Sequence, residues 1–410
     1  MHRVVITGLG VVSPVGDDPR TMIDALLDAR SGIDLLPPAL SGGPEPIAAG
    51  QTRCDPSRYF PAPRRAQLDR TSQLALIAAE QALKDAGLDA VESQSDRVGV
   101  YWGTGMGGAG TLDQAYLRLY GDGDRKVRPL TVVMTMANAP AAQISMAYGF
   151  TGPLLTFSTA CASSAHALGE ALRAIRAGVA DVILAGGSEA LLTPGTIRAW
   201  DALRALATAD PIDPSRSCKP FARDRTGLVL GEGAGALVLE SEQSARARGA
   251  RIYAEMAGYG ACADATHLSS PDPAGQARAM QMAMRDAGLS PEDIGYINAH
   301  GTATQLGDVV ETQAIKVAFG SAAQKVAVSS TKSMHGHLMG AAGAVEMIAA
   351  VLALERHALP PTAHLWDPDP ACDLDYIPNI ARHGVGLSAV ISNSFAFGGA
   401  NAVLVARRYG

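Results

Sequence analysis

The stretch 154–171, LLTFSTACASSAHALGEA, predicts a strand, a tight turn and a helix whose first turn carries Cys161. The unpaired N–H groups and the positive dipole end of such a helix can stabilise a thiolate. The same N–H groups can hold an oxyanion that forms beside the sulfur. Free cysteines are commonly small, buried apolar side chains, so this stretch alone fits both a nucleophile and a structural cysteine.

The composition of the 410-residue chain fits a large α/β interior in two domains or one double core, with 47% hydrophobic and 18% charged residues and 44 glycines. A net charge of −6 argues against a nucleic-acid partner. The five cysteines include no CxxC pair, so we expect no disulfide framework, zinc site or other metal. No apolar run approaches the roughly 18 residues of a membrane span, and the Gly-rich N-terminus is unlike a signal peptide. A cytoplasmic protein without membrane contact is expected.

The chain repeats its own pattern, which predicts an internal duplication with halves 1–250 and 251–410. The strand-loop-helix pattern around Cys161 matches VAVSSTKSMHGHLMGAAGAVEMI at 326–348, and GLVLGEGAGALVLE at 227–240, interpreted as a strand-turn-strand hairpin, matches AVISNSFAFGGANAVLVA at 389–406. Two packed β-α-β halves would turn Cys161 towards the second half. Residues 32–65, rich in Pro and Gly, are expected to form irregular surface.

A formal GxGxxG pattern, GTGMGG, follows a predicted strand at 103–108. A dinucleotide site would need an acidic residue at a strand end about 20 residues further on. Asp122 and Asp124 are nearby but lie in the turn-like sequence GDGDRK. We therefore expect a loop in which backbones approach each other closely, and no nucleotide.

Three polar clusters on apolar elements could face the cysteine from the second half. They are NAHGTAT with His300, SSTKSMHGH with Lys332 and His337, and NSFAFGGAN near the C-terminus. Two neutral imidazoles can each donate one hydrogen bond to the same carbonyl and so stabilise an enolate. A cysteine with two such histidines predicts covalent acyl transfer coupled to carbon–carbon bond formation. His335, in the second cluster, is expected to lie beside the functional residues without a role in the reaction.

Four of these motifs together, STACASS, NAHGTATQLGD, STKSMHGHLMGAAGAVE and SNSFAFGGAN, resemble the β-ketoacyl-acyl-carrier-protein synthases of the thiolase superfamily, and most of all their discrete synthase II type. The resemblance covers essentially the whole chain. It implies an α/β, thiolase-like fold of duplicated β-α-β-α-β halves packed as five layers (α-β-α-β-α). It also implies a homodimeric acyltransferase of fatty-acid biosynthesis that binds an acyl carrier protein. No cofactor is implied, since the phosphopantetheine arm arrives on the carrier.

The resemblance further implies that Cys161 holds the acyl group and that the N–H groups of Cys161 and Phe397 bind the oxyanion. His300 and His337 would bind the malonyl thioester carbonyl while CO₂ leaves. Lys332 would polarise the site through Glu346 and His337, and Phe397 would act as a gate. With no activating base apparent in the sequence, the helix end is expected to lower the pKa of the thiol.

The remaining implied roles fall into three groups. The supporting groups are Glu346 and Asp308. The substrate-binding residues are Thr302, Thr304, Met106, Phe395 and Gly398. The carrier-docking cations are Arg64, Arg65 and Arg204. Thr302 and Thr304 would contact the phosphopantetheine arm, and Met106 would set the depth of an acyl pocket between subunits.

Ala396 stands where the family has a glycine between the two phenylalanines, and few cations accompany Arg64 and Arg65. These departures keep open a ketosynthase of a secondary pathway, such as aryl-polyene or polyketide assembly, with a partner subunit. A non-catalytic chain-length factor would lack Cys161. A degradative thiolase would carry a second cysteine in the C-terminal glycine-rich loop, which here reads SFAFGGAN.

Overall fold

The computed structural model describes residues 2–88, 95–121 and 126–410, so Asp122 and Asp124 lie outside the described residues. Its strands, in chain order, are β1 (Val4–Val12), β2 (Ile33–Leu35), β3 (Ala48–Gly50), β4 (Val98–Gly103), β5 (Leu154–Phe157), β6 (Val182–Glu189), β7 (Leu230–Gly231), β8 (Gly233–Ser241), β9 (Ala254–Ala263), β10 (Ile294–Asn298), β11 (Ala327–Ser329), β12 (Ala358–Leu359), β13 (Arg382–His383), β14 (Ala389–Ala396) and β15 (Ala400–Arg407).

Among the described residues, ten of these strands form the main sheet, and helices pack on both of its faces. In chain order they are α1 (Pro19–Leu27), α2 (Pro38–Ser41), α3 (Ala62–Arg65), α4 (Arg70–Asp85), α5 (Ala109–Tyr116), α6 (Thr131–Thr135), α7 (Ala139–Tyr148), α8 (Ser163–Arg176), α9 (Pro194–Ala202), α10 (Glu242–Ala247), α11 (Pro273–Ala287), α12 (Gly307–Phe319), α13 (Lys332–His335) and α14 (Ala342–Arg356). Asp18, Asp69 and Asp272 cap α1, α4 and α11 by accepting backbone N–H groups of the first turn.

The sheet consists of two equivalent halves. Its strand order among the described residues is β11-β10-β14-β15-β9-β1-β8-β6-β4-β5. Outward from the centre, each half has two antiparallel pairings followed by two parallel ones. The halves join where Val5 and Ile6 of β1 pair with Glu255 and Ala254 of β9. The predicted duplication is therefore confirmed, with β5 and β11, each followed by a buried helix, as counterparts.

Helices α8 and α14 form the central layer of the predicted α-β-α-β-α arrangement. Helix α8 contacts β4, β6 and β15, while α14 contacts β8 and β14. The outer layers include α4 on β1 and β8, and α11 on β9 and β15. A helix that is apolar all round is buried, and α14 is buried from Ala342 to Leu354. Small residues let the central helices approach, since a Cβ at Gly343 would lie 2.8 Å from the Cβ of Ala165.

Two expectations about strands were wrong. The stretch 227–240 is not a hairpin, because β8 pairs with β6 while β7 pairs with β3 of a separate three-stranded sheet. The counterpart of the β14–β15 hairpin is therefore the β6–β8 pair. Residues 32–65 are not wholly irregular, since β2 and β3 pair antiparallel there. Local sequence marks extended segments but not their partners.

Among the described residues, no helix combines the length and the apolar character that crossing a membrane requires.

Candidate active site

Cys161 lies in a 3-10 turn, Ala160–Ala162, between β5 and α8, and the residue is only 5% exposed. The first turn of α8, which begins two residues after Cys161, lies tightly against β4: a Cβ at Gly103 would be 2.6 Å from the Cα of Ser164. The predicted close approach of backbones at GTGMGG is thus confirmed. Gly103, the first glycine of this motif, makes room for the helix that follows the cysteine.

The thiol environment differs from the expectation. Burial raises the pKa of Cys161 to about 12, although the Lys332 charge and the backbone N–H groups of Phe397 and Cys161 act in the opposite direction. The expected net lowering by the helix end was therefore wrong. The sulfur also has a polar partner, because Nε2 of His337 is 2.9 Å from Sγ of Cys161.

His300 and His337 meet in front of the sulfur. His300 follows β10, and His337 follows Gly336, whose φ is 72°. The ring centroids are 5.2 Å apart at an interplanar angle of 86°, and one ligand atom from each histidine and the Cys161 sulfur all lie within 4.8 Å. Burial, then the Lys332 charge, holds the pKa of each histidine well below its usual value. Both imidazoles are therefore neutral, as the enolate chemistry requires.

Lys332 and Glu346 form a fully buried ion pair. The second contact of Lys332 runs to His300, whose Nδ1 lies 3.5 Å from Nζ, and not to His337 as expected. An ammonium can only donate to Nδ1, which places the His300 proton on Nε2. Burial raises the pKa of Glu346 to about 7 against the lowering effect of Lys332.

Two buried carboxylates without a predicted role shape the loops of the site. Glu311 on α12 accepts the backbone N–H groups of His300 (2.8 Å) and Gly301 (2.7 Å) and the side-chain amide of Asn393 (3.1 Å). Glu189, at the end of β6, accepts the N–H groups of Gly105 (2.7 Å), Met106 (3.1 Å) and Gly340 (2.9 Å). A charge inside an apolar pattern was the only sequence signal for either residue.

Asp308, which the resemblance places with Glu346 in a network around Lys332, supports a different part of the site. It accepts the N–H groups of Phe221 (2.7 Å) and Ala303 (3.1 Å) and lies 3.7 Å from Nε of Arg225. Burial raises the pKa of Asp308 to about 7. None of these contacts involves Lys332. Asp308 therefore fixes the loop that presents Thr302 and Thr304.

A cavity of about 290 Å³ leads to the cysteine. The residues predicted for the site that line this cavity are Cys161, Arg204, His300, Thr302, Thr304, His337, Phe395 and Phe397. The hydroxyl oxygens of Thr302 and Thr304 are 3.1 Å apart. This arrangement is a path, with paired hydroxyl groups along it, that ends at a thiol and two neutral imidazoles.

The comparisons with known proteins agree with this geometry. Residues 1–245 match the model of the beta-ketoacyl synthase N-terminal domain, and residues 253–366 match that of the C-terminal domain. The chain belongs to the β-ketoacyl synthase family.

Relatives of this β-ketoacyl synthase include the 3-oxoacyl-[acyl-carrier-protein] synthase 2 of Staphylococcus aureus (strain COL), 43% identical over 410 residues, with 99% of this chain and 98% of that protein covered. Nodulation protein E of Rhizobium meliloti (strain 1021) is 43% identical over 403 residues, with 98% of each covered. A beta-ketoacyl synthase structure from Burkholderia phymatum STM815 has a TM-score of 0.93 at 37% identity, and both chains are fully covered. A type II PKS ketosynthase structure in complex with its acyl-carrier protein has a TM-score of 0.90 at 34% identity, again with full coverage of both.

Several predicted residues of the β-ketoacyl synthase lie elsewhere. Gly399, and not the predicted Gly398, is among the described residues that line the cavity. The N–H of Gly398 instead donates to the Leu268 carbonyl at 2.6 Å. Met106 is also outside that lining, with its side chain 46% exposed. His335 is fully buried and hydrogen-bonded to Gly336 and Thr331, as a neighbour would be.

The three cations predicted to dock a carrier are divided between two places. Arg64 and Arg65 lie on α3, where they donate to Gln143 and to the carbonyl of Phe60. Arg204 is exposed just beyond the C-cap of α9 and lines the cavity. Among the described residues, no direct contact joins Arg204 to Arg64 or Arg65.

Proposed function

We propose that this chain is a 3-oxoacyl-[acyl-carrier-protein] synthase that lengthens an acyl chain by two carbons in fatty-acid biosynthesis. The observation that carries the proposal is a buried thiol facing two neutral imidazoles at the end of one cavity. Neutral N–H donors stabilise the enolate oxygen by hydrogen bonds, whereas an imidazolium would protonate it. The enolate can therefore form and then react at carbon. In this proposal the half 1–250 supplies the nucleophile, and the half 251–410 supplies the histidines.

The first proposed step loads Cys161. Its sulfur attacks the thioester carbonyl of an acyl carrier, the carbon–sulfur bond to the carrier breaks, and the carrier leaves as a thiol. The cysteine proton passes to the leaving sulfur through solvent, and His337 Nε2–H, 2.9 Å from Sγ, is placed to hydrogen-bond the developing thiolate. The N–H groups of Cys161 and Phe397, which already act on the thiol, would hold the oxyanion.

The second proposed step uses malonyl carrier. The bond between the malonyl α-carbon and its carboxylate breaks, CO₂ leaves, and the electron pair moves into the thioester carbonyl as an enolate. His300 and His337 donate Nε2–H to the enolate oxygen, and Lys332 fixes the His300 proton there. The enolate carbon attacks the acyl thioester, the carbon–sulfur bond breaks, and the Cys161 thiolate takes up a proton from solvent. The product is a β-ketoacyl carrier.

The substrate arrives on a carrier arm in this proposal, so the chain needs no cofactor of its own. Thr302 and Thr304 would contact the phosphopantetheine arm inside the cavity. Arg204 at the cavity, with Arg64 and Arg65 on α3, would steer an acidic carrier by charge. The solved complex of a related ketosynthase with its acyl-carrier protein supports a carrier as partner.

A homodimer belongs to the same proposal. Strand β5 is at one edge of the sheet, and its Leu154 and Leu155 are 44% and 48% exposed. Val132, Val133 and Met146 are also exposed, at 66%, 56% and 66%. An unpaired edge strand with an apolar surround favours pairing with a second copy. Such a contact would also cover Met106, which makes it a candidate to shape the acyl pocket between subunits.

The decisive test separates the two steps. Cys161→Ser should abolish acyl-enzyme formation detected by mass spectrometry, while Cys54→Ser should not. His300→Ala should retain acylation but lose about 10²- to 10⁴-fold in CO₂ release from malonyl carrier. The exposed His383→Ala is the matched control. Normal acylation of the Cys161 variant, or undiminished CO₂ release by the His300 variant, would refute the mechanism.

A ketosynthase of a secondary pathway is the second candidate. Ala396 favours it, at the start of the turn 396–399 that carries Phe397 between β14 and β15 and is called the gate loop below. The resemblances to nodulation protein E and to a type II PKS ketosynthase favour it too. Acyl transfer measured with saturated and polyene carriers of different lengths distinguishes the two. A preference for saturated carriers supports fatty-acid elongation, whereas a preference for polyene or polyketide chains supports the secondary pathway.

A further inference from the structure

The N–H of Phe397 hydrogen-bonds the Cys161 thiol, but this backbone contact does not fix the direction of the phenyl ring. Phe397 follows β14 and precedes Gly398 and Gly399, whose φ angles of 85° and 72° are in the left-handed region. Its side chain is 38% exposed although the residue lines the cavity of Cys161. A large ring beside two glycines can move at little backbone cost, so its position must depend on what the ring touches.

The ring of Phe397 stacks on Trp200. Their centroids are 5.9 Å apart, and the planes are inclined by 21°. Offset-stacked aromatic pairs are stabilising beyond the area they bury. Trp200 also lines the cavity, so the stack forms part of the wall along which substrate reaches Cys161.

Helix α9 fixes the position of Trp200, because this residue belongs to the last turn of the helix. Thr193 caps the start of this helix. One turn before Trp200, Ile197 is fully buried in the apolar cluster that also contains Cys161 and Met339. The indole is therefore a fixed platform, and Phe397 is the mobile partner.

The other contacts of the gate loop use the backbone. The N–H of Gly398 donates to the carbonyl of Leu268 at 2.6 Å, and the N–H of Asp264 donates to the carbonyl of Gly399 at 2.9 Å. They hold the loop but not the phenyl ring. The stack on Trp200 is thus the contact through which a side chain outside the loop can set the ring position.

We propose that Trp200 is a positioning residue that keeps Phe397 in its resting place while Cys161 carries no acyl group, and that this stack breaks when the malonyl carrier is admitted. The inference rests on the proposed ketosynthase function. The stack would prevent a wasteful reaction. Malonyl carrier admitted to an unacylated site would lose CO₂, and the enolate would take a proton from water and leave as acetyl carrier.

Kinetics of two variants test this role. Trp200→Leu removes the ring, and Trp200→Phe keeps a smaller one. We expect Trp200→Leu to raise the release of CO₂ without an acyl donor by about 2- to 10-fold, the range that one aromatic stack supports. The rate of Cys161 acylation is measured for each variant alongside, and Trp200→Phe should lie close to the parent protein. An unchanged ratio of CO₂ released to product formed in Trp200→Leu overturns the proposal.

Fluorescence tests the contact without a leucine variant. The chain has three tryptophans, so Trp366→Phe leaves the buried Trp102 and Trp200 as reporters. Adding Phe397→Ala should shift the emission to longer wavelength as the indole gains water. Acylation of Cys161 by a carrier, followed by a malonyl analogue that cannot decarboxylate, should produce a similar shift. No shift in either experiment overturns the proposal, whatever the folding of Trp200→Leu.

The controls separate the two levels of inference. Trp366→Phe alone should leave turnover unchanged, because this exposed residue contacts Arg216 and His364 and not the cavity. If the parent protein forms no acyl-enzyme and no β-ketoacyl product, the proposed function fails. If it does both and Trp200→Leu behaves like the parent, only the role of Trp200 fails.

Discussion

Gly103→Ala should displace the nucleophile although it adds one methyl group and touches no catalytic side chain. Gly103 ends β4 and lies against the first turn of α8. The new carbon would be 2.6 Å from the Cα of Ser164, and Ser163 and Ser164 backbone atoms would be closer still. These atoms belong to the backbone two and three residues after Cys161, so no side-chain rotation can relieve the clash.

The size of the displacement follows from this distance. Non-bonded carbon atoms settle at about 3.5–4.0 Å, so α8 and β4 must separate by about 1 Å. Overpacking of this kind destabilises a core by about 1–3 kcal/mol. The turn of Cys161 moves with the helix, and Sγ moves relative to His337 Nε2, now 2.9 Å away. A misplacement of about 1 Å can lower a rate by on the order of 10²-fold.

Acylation of Cys161, followed by mass spectrometry under single-turnover conditions, reports the effect together with the melting temperature. Gly386→Ala is the matched control, because its Cβ would meet no atom within 4 Å. We expect both readings to fall for Gly103→Ala and neither for Gly386→Ala. Acylation of Gly103→Ala within about twofold of the parent rate would refute the argument, because α8 would then tolerate the methyl group without moving the sulfur.

Three further outcomes follow from the buried charges and the gate. Glu346→Gln should lower the free energy of unfolding by about 3–5 kcal/mol, because it leaves the buried Lys332 ammonium without its carboxylate. Lys332→Met should lower the melting temperature less than Glu346→Gln does. The reason is that burial already raises the pKa of Glu346 to about 7 and favours its neutral form. Protonation of His300 and His337 should cause no loss of malonyl decarboxylation near pH 6.5, because burial and the Lys332 charge hold the pKa of both histidines well below its usual value; a fall with a midpoint near 6.5 that persists in Glu346→Gln would contradict this. Ala396→Gly should speed the malonyl-dependent step of the acyl-loaded enzyme in single-turnover experiments, because glycine widens the range of the gate loop; an unchanged rate would show that alanine does not limit it.

The duplicated architecture could be predicted because it depends on local patterns. Apolar segments followed by loops and small-residue helices occur at matching places in both halves, and the structure folds them with the same pairings. Strand partners were harder to predict. Leu230 and Gly231 continue an extended pattern into β8, but they pair with Ala49 and Gly50. Which strands become neighbours depends on the packing of all layers.

The supporting carboxylates escaped prediction for a related reason. Glu311 and Glu189 hold backbone N–H groups of loops that are distant in sequence or belong to other elements. A carboxylate in an apolar pattern indicates that some partner exists, because a buried charge must be satisfied. It does not say which loop supplies the donors.

The motifs were sufficient to predict a cysteine, two histidines and a lysine at the ends of apolar elements, since these positions follow from the order of residues along each element. The contacts among them depend on the folded interior. The approach of His337 to Cys161, the choice of His300 by Lys332, and the direction of the thiol pKa all depend on desolvation and on distances across the two halves. Sequence spacing carries no measure of either, because both arise only when the sheets close over the central helices.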